Sequence, residues 1–124
     1  MVLAKSVILC VDDEENPLVL RKMVLQKSGY DVLTATSGSQ ALEILGSCNI
    51  DLILSDQLMP GMTGTQLAKE VKALRPALPV VIVSGVNEIP PDAEHADLFV
   101  SKLEGPVALG EKIANILARS SNSA

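Results

Sequence analysis

The stretch Val7-Ile8-Leu9-Cys10-Val11-Asp12-Asp13 decides how the chain is read. Five consecutive apolar residues, rich in β-branched side chains, run without alternation straight into two carboxylates. A strand with one face in water alternates polar and apolar residues, whereas a strand covered on both faces of a parallel sheet carries an unbroken apolar run. Comparable runs recur at residues 52–54, 80–83 and 98–100, and a weaker strand, Asp31–Ala35, contains Val32, Leu33 and Thr34.

Helix patterns separate these strands. Asn16-Pro17 reads as an N-cap followed by proline at the first helical position. Leu20, Met23, Val24 and Lys27 then share a stripe, and Gly29 closes the helix. Ser37 with Gln40 and Thr63 with Gln66 are capping-box pairs. The first opens a helix carrying Ala41, Leu42 and Leu45, the second one carrying Leu67, Val71 and Leu74 that ends at Arg75-Pro76. The last helix is expected to start at Pro106 and to bury Leu109, Ile113, Ile116 and Leu117, with residues 120–124 fraying.

This alternation predicts an α/β fold, a doubly wound five-stranded parallel sheet with helices on both faces. Twelve residues, 85–96, separate the last two strands, with Pro90-Pro91 in their middle. A parallel crossover needs about that many in total, so the fourth helix is expected to shrink to a turn or two.

With 124 residues the chain forms one domain, and with 48% hydrophobic residues it can build a core without metal or disulfide staples. Tyr30 and Phe99 are its only aromatics, so that core is aliphatic. The net charge of −5 argues against direct nucleic-acid binding, which needs clustered cations. No run of about eighteen apolar residues is present, and Lys5 interrupts the apolar N-terminus, so neither a membrane span nor a signal peptide is expected. Cys10 and Cys48 stand apart from any Cys/His cluster and read as reduced thiols of a cytoplasmic protein. Met59 and Met62 read as packing residues, and His95, the sole histidine, as solvent-exposed.

The chemistry gathers at the strand ends. The first strand runs into Asp12 and Asp13, the third into Asp56, the fourth into Ser84 and the fifth into Lys102. In a parallel sheet these ends lie side by side, where open α/β sheets bind ligands. Three carboxylates in one cleft repel each other, and a cation relieves that repulsion. Oxygen-only ligands suit Mg²⁺, with Mn²⁺ as the alternative. Ser84 and Lys102 would meet the oxygens of a phosphoryl group, and Asp56 is placed as a nucleophile forming an acyl phosphate.

These residues resemble the receiver domain of bacterial two-component response regulators, of the chemotaxis-regulator type. The matching pieces are Val11-Asp12-Asp13-Glu14, Asp56-x-x-Met59-Pro60-x-x-x-Gly64, Val83-Ser84-Gly85 and Lys102, with Phe99 at the family's aromatic switch position. The resemblance covers about residues 6–118 and divides the chain into a receiver domain, 1–119, and a flexible tail, 120–124. It implies the flavodoxin-like strand order 2-1-3-4-5. It also implies that Asp56 takes phosphate from the phosphohistidine of a histidine kinase or phosphotransfer protein. Asp13, Asp56 and the backbone carbonyl of Leu58 would ligate Mg²⁺, while Asp12 holds a metal-bound water. Lys102 would pair with the phosphorylated carboxylate, Ser84 would swing toward the phosphoryl group, and Phe99 would turn inward. The Leu58 side chain would influence phosphoryl lifetime. Such a protein is a cytoplasmic signalling switch and not a turnover enzyme, catalysing only its own phosphorylation and dephosphorylation. Its implied partners are the kinase, a downstream target or output domain, and a second copy in a homodimer. No second domain follows the last helix pattern, which leaves a stand-alone receiver and one cut from a longer chain both open.

Two departures bear on this reading. Leu103 stands where the family usually places proline; a cis bond there would cost about 2.5–4 kcal/mol, so a trans bond and a displaced lysine loop are expected. The shortened fourth helix alters a face that receivers use to dimerise or meet targets. Three rivals stand beside the receiver. A flavin mononucleotide binder would need a Ser/Thr/Gly loop where Asp12-Asp13-Glu14-Glu15 sits. A haloacid-dehalogenase-type phosphatase would need a DxD pattern after the first strand and a cap domain. A receiver that acts only as a binding module would not require the complete acidic set.

Overall fold

The computed structural model describes residues 5–85 and 90–122. Its elements run β1 (Val7–Val11), α1 (Glu15–Lys27), β2 (Asp31–Ala35), α2 (Gly38–Ser47), β3 (Leu52–Asp56), α3 (Gly64–Leu74) and β4 (Val80–Ser84). A single 3₁₀ turn (Ala93–His95), β5 (Leu98–Ser101) and α4 (Pro106–Asn122) complete the chain. All strand pairs are parallel and the order is β2-β1-β3-β4-β5, the arrangement the sequence implied.

Side-chain parity along each strand assigns the helices to their layers. Leu9, Val11, Ile53, Val80 and Ile82 point to one face, where they pack with Ala41 and Leu45 of α2 and Leu67, Ala68 and Val71 of α3. Ile8, Cys10, Leu52, Leu54, Val81, Val83 and Val100 point to the other, against Leu18 and Leu25 of α1 and Ile113 of α4. Both faces of β1, β3 and β4 are therefore dry, which is why those runs carry no alternation. At the other end of the sheet, aspartates satisfy strand N–H groups: Val7 N donates to Asp51 Oδ2 and Val80 N to Asp97 Oδ2, each at 2.7 Å.

Several local expectations need correction. α1 begins at Glu15 with Glu14 at the cap and no side-chain cap bond, so Asn16 is already helical. Its buried residues are Leu18 and Leu25, while Leu20 and Met23 are more than half exposed. The sheet takes the Leu18 line because that face looks onto Val83 and Val100; the apolar residues of α1 surround it, so periodicity alone selects no face. Leu74 is likewise exposed at the end of α3. Gln66 closes a complete capping box with Thr63. Gln40, by contrast, reaches past Ser37 to accept from Thr36 N at 2.7 Å. In α4 Ile113 is buried, with Leu109, Ile116 and Leu117 packed against the same cluster. The helical backbone runs on to Asn122.

His95 is half-buried rather than solvent-exposed, and its Nε2 lies 3.6 Å from Oε1 of the adjacent Glu94. Asp92 enters the 3₁₀ turn at φ 65°, a left-handed conformation that costs a non-glycine residue energy. Every peptide bond among the described residues is trans, Lys102–Leu103 included.

Candidate functional site

The strand ends converge as their lengths require. β1 ends beside β3 with Val11 opposite Ser55, and β3 ends beside β4 with Asp56 opposite Val83. Asp12 extends the ladder by donating its N–H to Ala35 O, and Lys102 does so by donating its N–H to Ser84 O at 3.0 Å. One carboxylate oxygen from each of Asp12, Asp13 and Asp56 lies within 4.8 Å of the others. Asp12 and Asp56 are buried, while Asp13 is exposed at the mouth.

Each buried acid is held differently. Asp12 Oδ1 accepts from Glu14 N at 2.9 Å, and Oδ2 accepts from Arg21 Nη1 at 2.9 Å. Asp56 Oδ2 accepts from Lys102 Nζ at 3.1 Å. Asp56 Oδ1 is buried and has no hydrogen-bond partner. A buried carboxylate oxygen without a donor is costly unless a cation or a ligand meets it. The donor set and this orphaned oxygen fit a hard divalent cation. Burial is the main cause that lifts the Asp12 carboxyl above its ordinary value. The Glu14 N–H opposes the rise, the Asp56 carboxylate adds to it, Arg21 opposes it and Asp13 adds to it.

The turn after β3 explains the spacing Asp56-x-x-Met59-Pro60-x-x-x-Gly64. Met59 is buried among the α2–α3 layer residues and Gly61 takes a left-handed φ of 81°. Gly64 N donates to Gln57 O, and a Cβ on Gly64 would stand 2.5 Å from the Asp56 carbonyl oxygen. Only glycine lets α3 begin this close to the backbone of Asp56. Gln57 is buried and forms two bonds to one residue: Thr65 N donates to its Oε1 at 3.0 Å, and its Nε2 donates to Thr65 Oγ1 at 3.1 Å. Leu58 between them is 62% exposed, so its side chain projects from the rim of the site.

Of the residues singled out from sequence, Asp12, Asp13, Asp56 and Lys102 are brought together. Ser84 is buried at the end of β4, in register with Ser101. Phe99 lies outside this group: it sits opposite Ile82 in β5, half-buried against the α2–α3 layer. Two polar features escaped the sequence reading: Arg21, and the pairing of Gln57 with Thr65. Arg21 had a visible mark, because Leu18, Arg21 and Leu25 stand at i, i+3 and i+7, which puts a lone cation on the buried line of α1.

Cys10, inside β1, has its thiol pushed up to about 12 by burial, while Cys48 is exposed and both are free. Among the described residues, no helix is long and apolar enough to cross a membrane.

Known proteins share this arrangement. The chain is 39% identical over 83 residues to the transcriptional regulatory protein GlrR of Escherichia coli, a match covering 67% of this chain and 19% of that one. It is 34% identical over 91 residues to sporulation initiation phosphotransferase F of Bacillus subtilis, covering 73% of each. The chain thus spans about a fifth of the length of GlrR. A receiver domain protein of Methanospirillum hungatei, described as CheY-like, superposes with a TM-score of 0.91 at 28% identity, covering 98% of this chain and all of that one. The response regulator TrrA of Thermotoga maritima, solved in complex with Mg²⁺ and BeF, gives 0.85 at 32% identity, covering 90% and 98% of the two chains. The model of the response regulator receiver domain matches residues 8–113. With the fold, the strand order and the acidic strand ends all in agreement, this chain belongs to the response regulator receiver domain family.

Proposed function

We propose that the chain is a phosphoacceptor switch in which Asp56 takes a phosphoryl group from the phosphohistidine of a histidine kinase or phosphotransfer protein. The observation that carries this is the state of the Asp56 carboxylate. One oxygen is held by Lys102, the other is buried and, among the described residues, without a partner, and the carboxylate is grouped with those of Asp12 and Asp13. Asp13, Asp56 and the Leu58 carbonyl would hold Mg²⁺, or Mn²⁺ in its place, with Asp12 holding a water beside it. Bound there, the cation would neutralise charge on the incoming phosphoryl oxygens.

The chain's own groups supply the rest. A carboxylate oxygen of Asp56 attacks phosphorus, the P–N bond of the phosphohistidine breaks, and the imidazole leaves with the electron pair and takes a proton. Lys102 Nζ, 3.1 Å from Asp56 Oδ2, is placed to follow the negative charge onto the acyl phosphate. Ser84, at the end of the neighbouring strand, would turn its hydroxyl toward a phosphoryl oxygen, and Phe99 would pack inward behind it. Two arrangements of β4 and β5 would then differ by a few charge-assisted hydrogen bonds, which is enough to bias a protein-binding surface. Attack of water on phosphorus releases phosphate and returns the Asp56 carboxylate. The output would be a downstream protein, an output domain or a second copy of the chain; the net charge of −5 does not favour nucleic acid as the direct partner.

Incubation with acetyl phosphate and Mg²⁺, followed by intact-mass measurement, tests this. One phosphoryl group should add to the wild type and none to Asp56→Asn. Equal uptake by Asp56→Asn, or no uptake by the wild type, would refute the assignment.

A further inference from the structure

Arg21 has no part in the phosphoacceptor chemistry above, yet it makes a direct contact with the acidic cluster. Its side chain is 15% exposed, on the buried line of α1, and Nη1 stands 2.9 Å from Asp12 Oδ2. With Lys102 on Asp56, two of the cluster's three carboxylates already carry an internal cation. Arg21 also borders a cavity of about 480 Å³ between α1, the ends of β4 and β5, and the start of α4. Leu20, Val24, Val100 and Leu109 form its apolar wall, and Lys102 and Glu104, the latter paired with Lys112, also line it. A guanidinium leaving Asp12 therefore has an adjoining space to enter.

We propose that Arg21 is a positioning residue that competes with the metal: it holds Asp12 while the cation is absent and gives up Asp12 Oδ2, turning into the adjoining cavity, when a divalent cation binds. This rests on the reading of Asp12, Asp13 and Asp56 as a cation site. A fixed positive charge beside a doubly charged ion opposes its binding even where solvent screens the interaction. Arg21 thus lowers cation affinity and spares the metal-free chain an unpaired buried carboxylate.

Calorimetric titration of the full chain with MgCl₂ is the test, with Arg21→Gln, Arg21→Lys and, as a charge control on the exposed face of α3, Lys69→Gln. Arg21→Gln should bind Mg²⁺ about tenfold more tightly. Arg21→Lys, which keeps the charge, should return to within about threefold of wild type, and Lys69→Gln to within about twofold. Equal or weaker binding by Arg21→Gln, while the wild type binds normally, overturns the competition alone. Absence of binding in every form removes the cation site itself and the proposal with it. A second readout needs no folded variant beyond the wild type. The side-chain Nε–H resonance of Arg21, assigned by through-bond correlation from its own backbone amide in the wild type, should move as Mg²⁺ saturates the protein. An unmoved resonance at saturation overturns the displacement.

Discussion

The two halves of the site are built to different standards. On the β1–β3 side the polar groups other than Asp56 Oδ1 are largely tied down: Asp12 by Glu14 N and Arg21, Gln57 by two bonds to Thr65, and the start of α3 by a complete capping box over Gly64. On the β4–β5 side, β5 has one buried residue, Val100, and the described part of the crossover holds one 3₁₀ turn, residues 86–89 lying outside the described residues. Lys102 reaches the acids from a half-exposed side chain, and Leu103 is 95% exposed. Bond-forming groups need fixed positions, because a displacement of about 1 Å is costly in rate. Groups that report a change need a second arrangement close in energy. On the function proposed above, Asp56 would sit on the fixed half and the readout residues on the looser one.

The sharpest way to break this contrast is to add one side chain to each half. Gly64→Val should lower unfolding stability by about 3 kcal/mol, since its Cβ meets the Asp56 carbonyl oxygen at 2.5 Å. Gly85→Ala, whose Cβ would, among the described residues, meet Lys102 Cδ at 3.5 Å, should change it by less than about 0.5 kcal/mol. Urea denaturation of the pair decides the matter, and similar losses would dissolve the distinction. Next in size, Gln57→Ala removes both bonds to Thr65 in a buried turn and should cost about 2 kcal/mol. A double-mutant cycle with Thr65→Val should show that most of this loss is shared. On the looser side, Lys102→Ala withdraws a half-exposed cation from the buried Asp56 carboxylate and should cost about 1 kcal/mol, less than Gln57→Ala. A loss like that of Gln57→Ala would mean that this half is as tightly fixed as the other.

The smallest effect is one of pH. The folded Asp12 carboxyl titrates above its ordinary 3.8, and a metal binds its charged form. Mg²⁺ affinity, followed by calorimetry, should therefore begin to fall on acidification while the pH is still above that of an ordinary aspartate. In the metal-free chain the sign reverses. The folded form binds the Asp12 proton more tightly than the unfolded form does, so this group's contribution to stability grows as pH falls through its raised value toward 3.8.

The sheet was legible because burial on both faces leaves a mark no loop carries, an unbroken run such as Val7–Val11. The acidic ends were legible for a related reason, since a carboxylate directly after such a run has to sit at a strand's C-terminal edge. α1 was not legible. Leu18, Val19, Leu20, Met23, Val24 and Leu25 surround the helix, and which of them is buried depends on the neighbouring strands and on Arg21 reaching back nine residues to Asp12. The Gln57–Thr65 clamp was hidden for a similar reason. Its bonds span eight residues of turn and leave no periodic trace. Patterning reports what faces water, and long-range pairing between polar groups lies outside it.

The two cysteines have a practical consequence. Cys10 is sealed inside β1, where burial pushes its thiol well above the usual range, whereas Cys48 lies exposed at the end of α2. That end of α2 leads into the start of β3, so it belongs to the edge of the sheet opposite the acids. Toward maleimide or iodoacetamide the folded chain should behave as a one-thiol protein, carrying a fluorophore or spin label at Cys48 without engineering and away from the chemistry it would be used to watch.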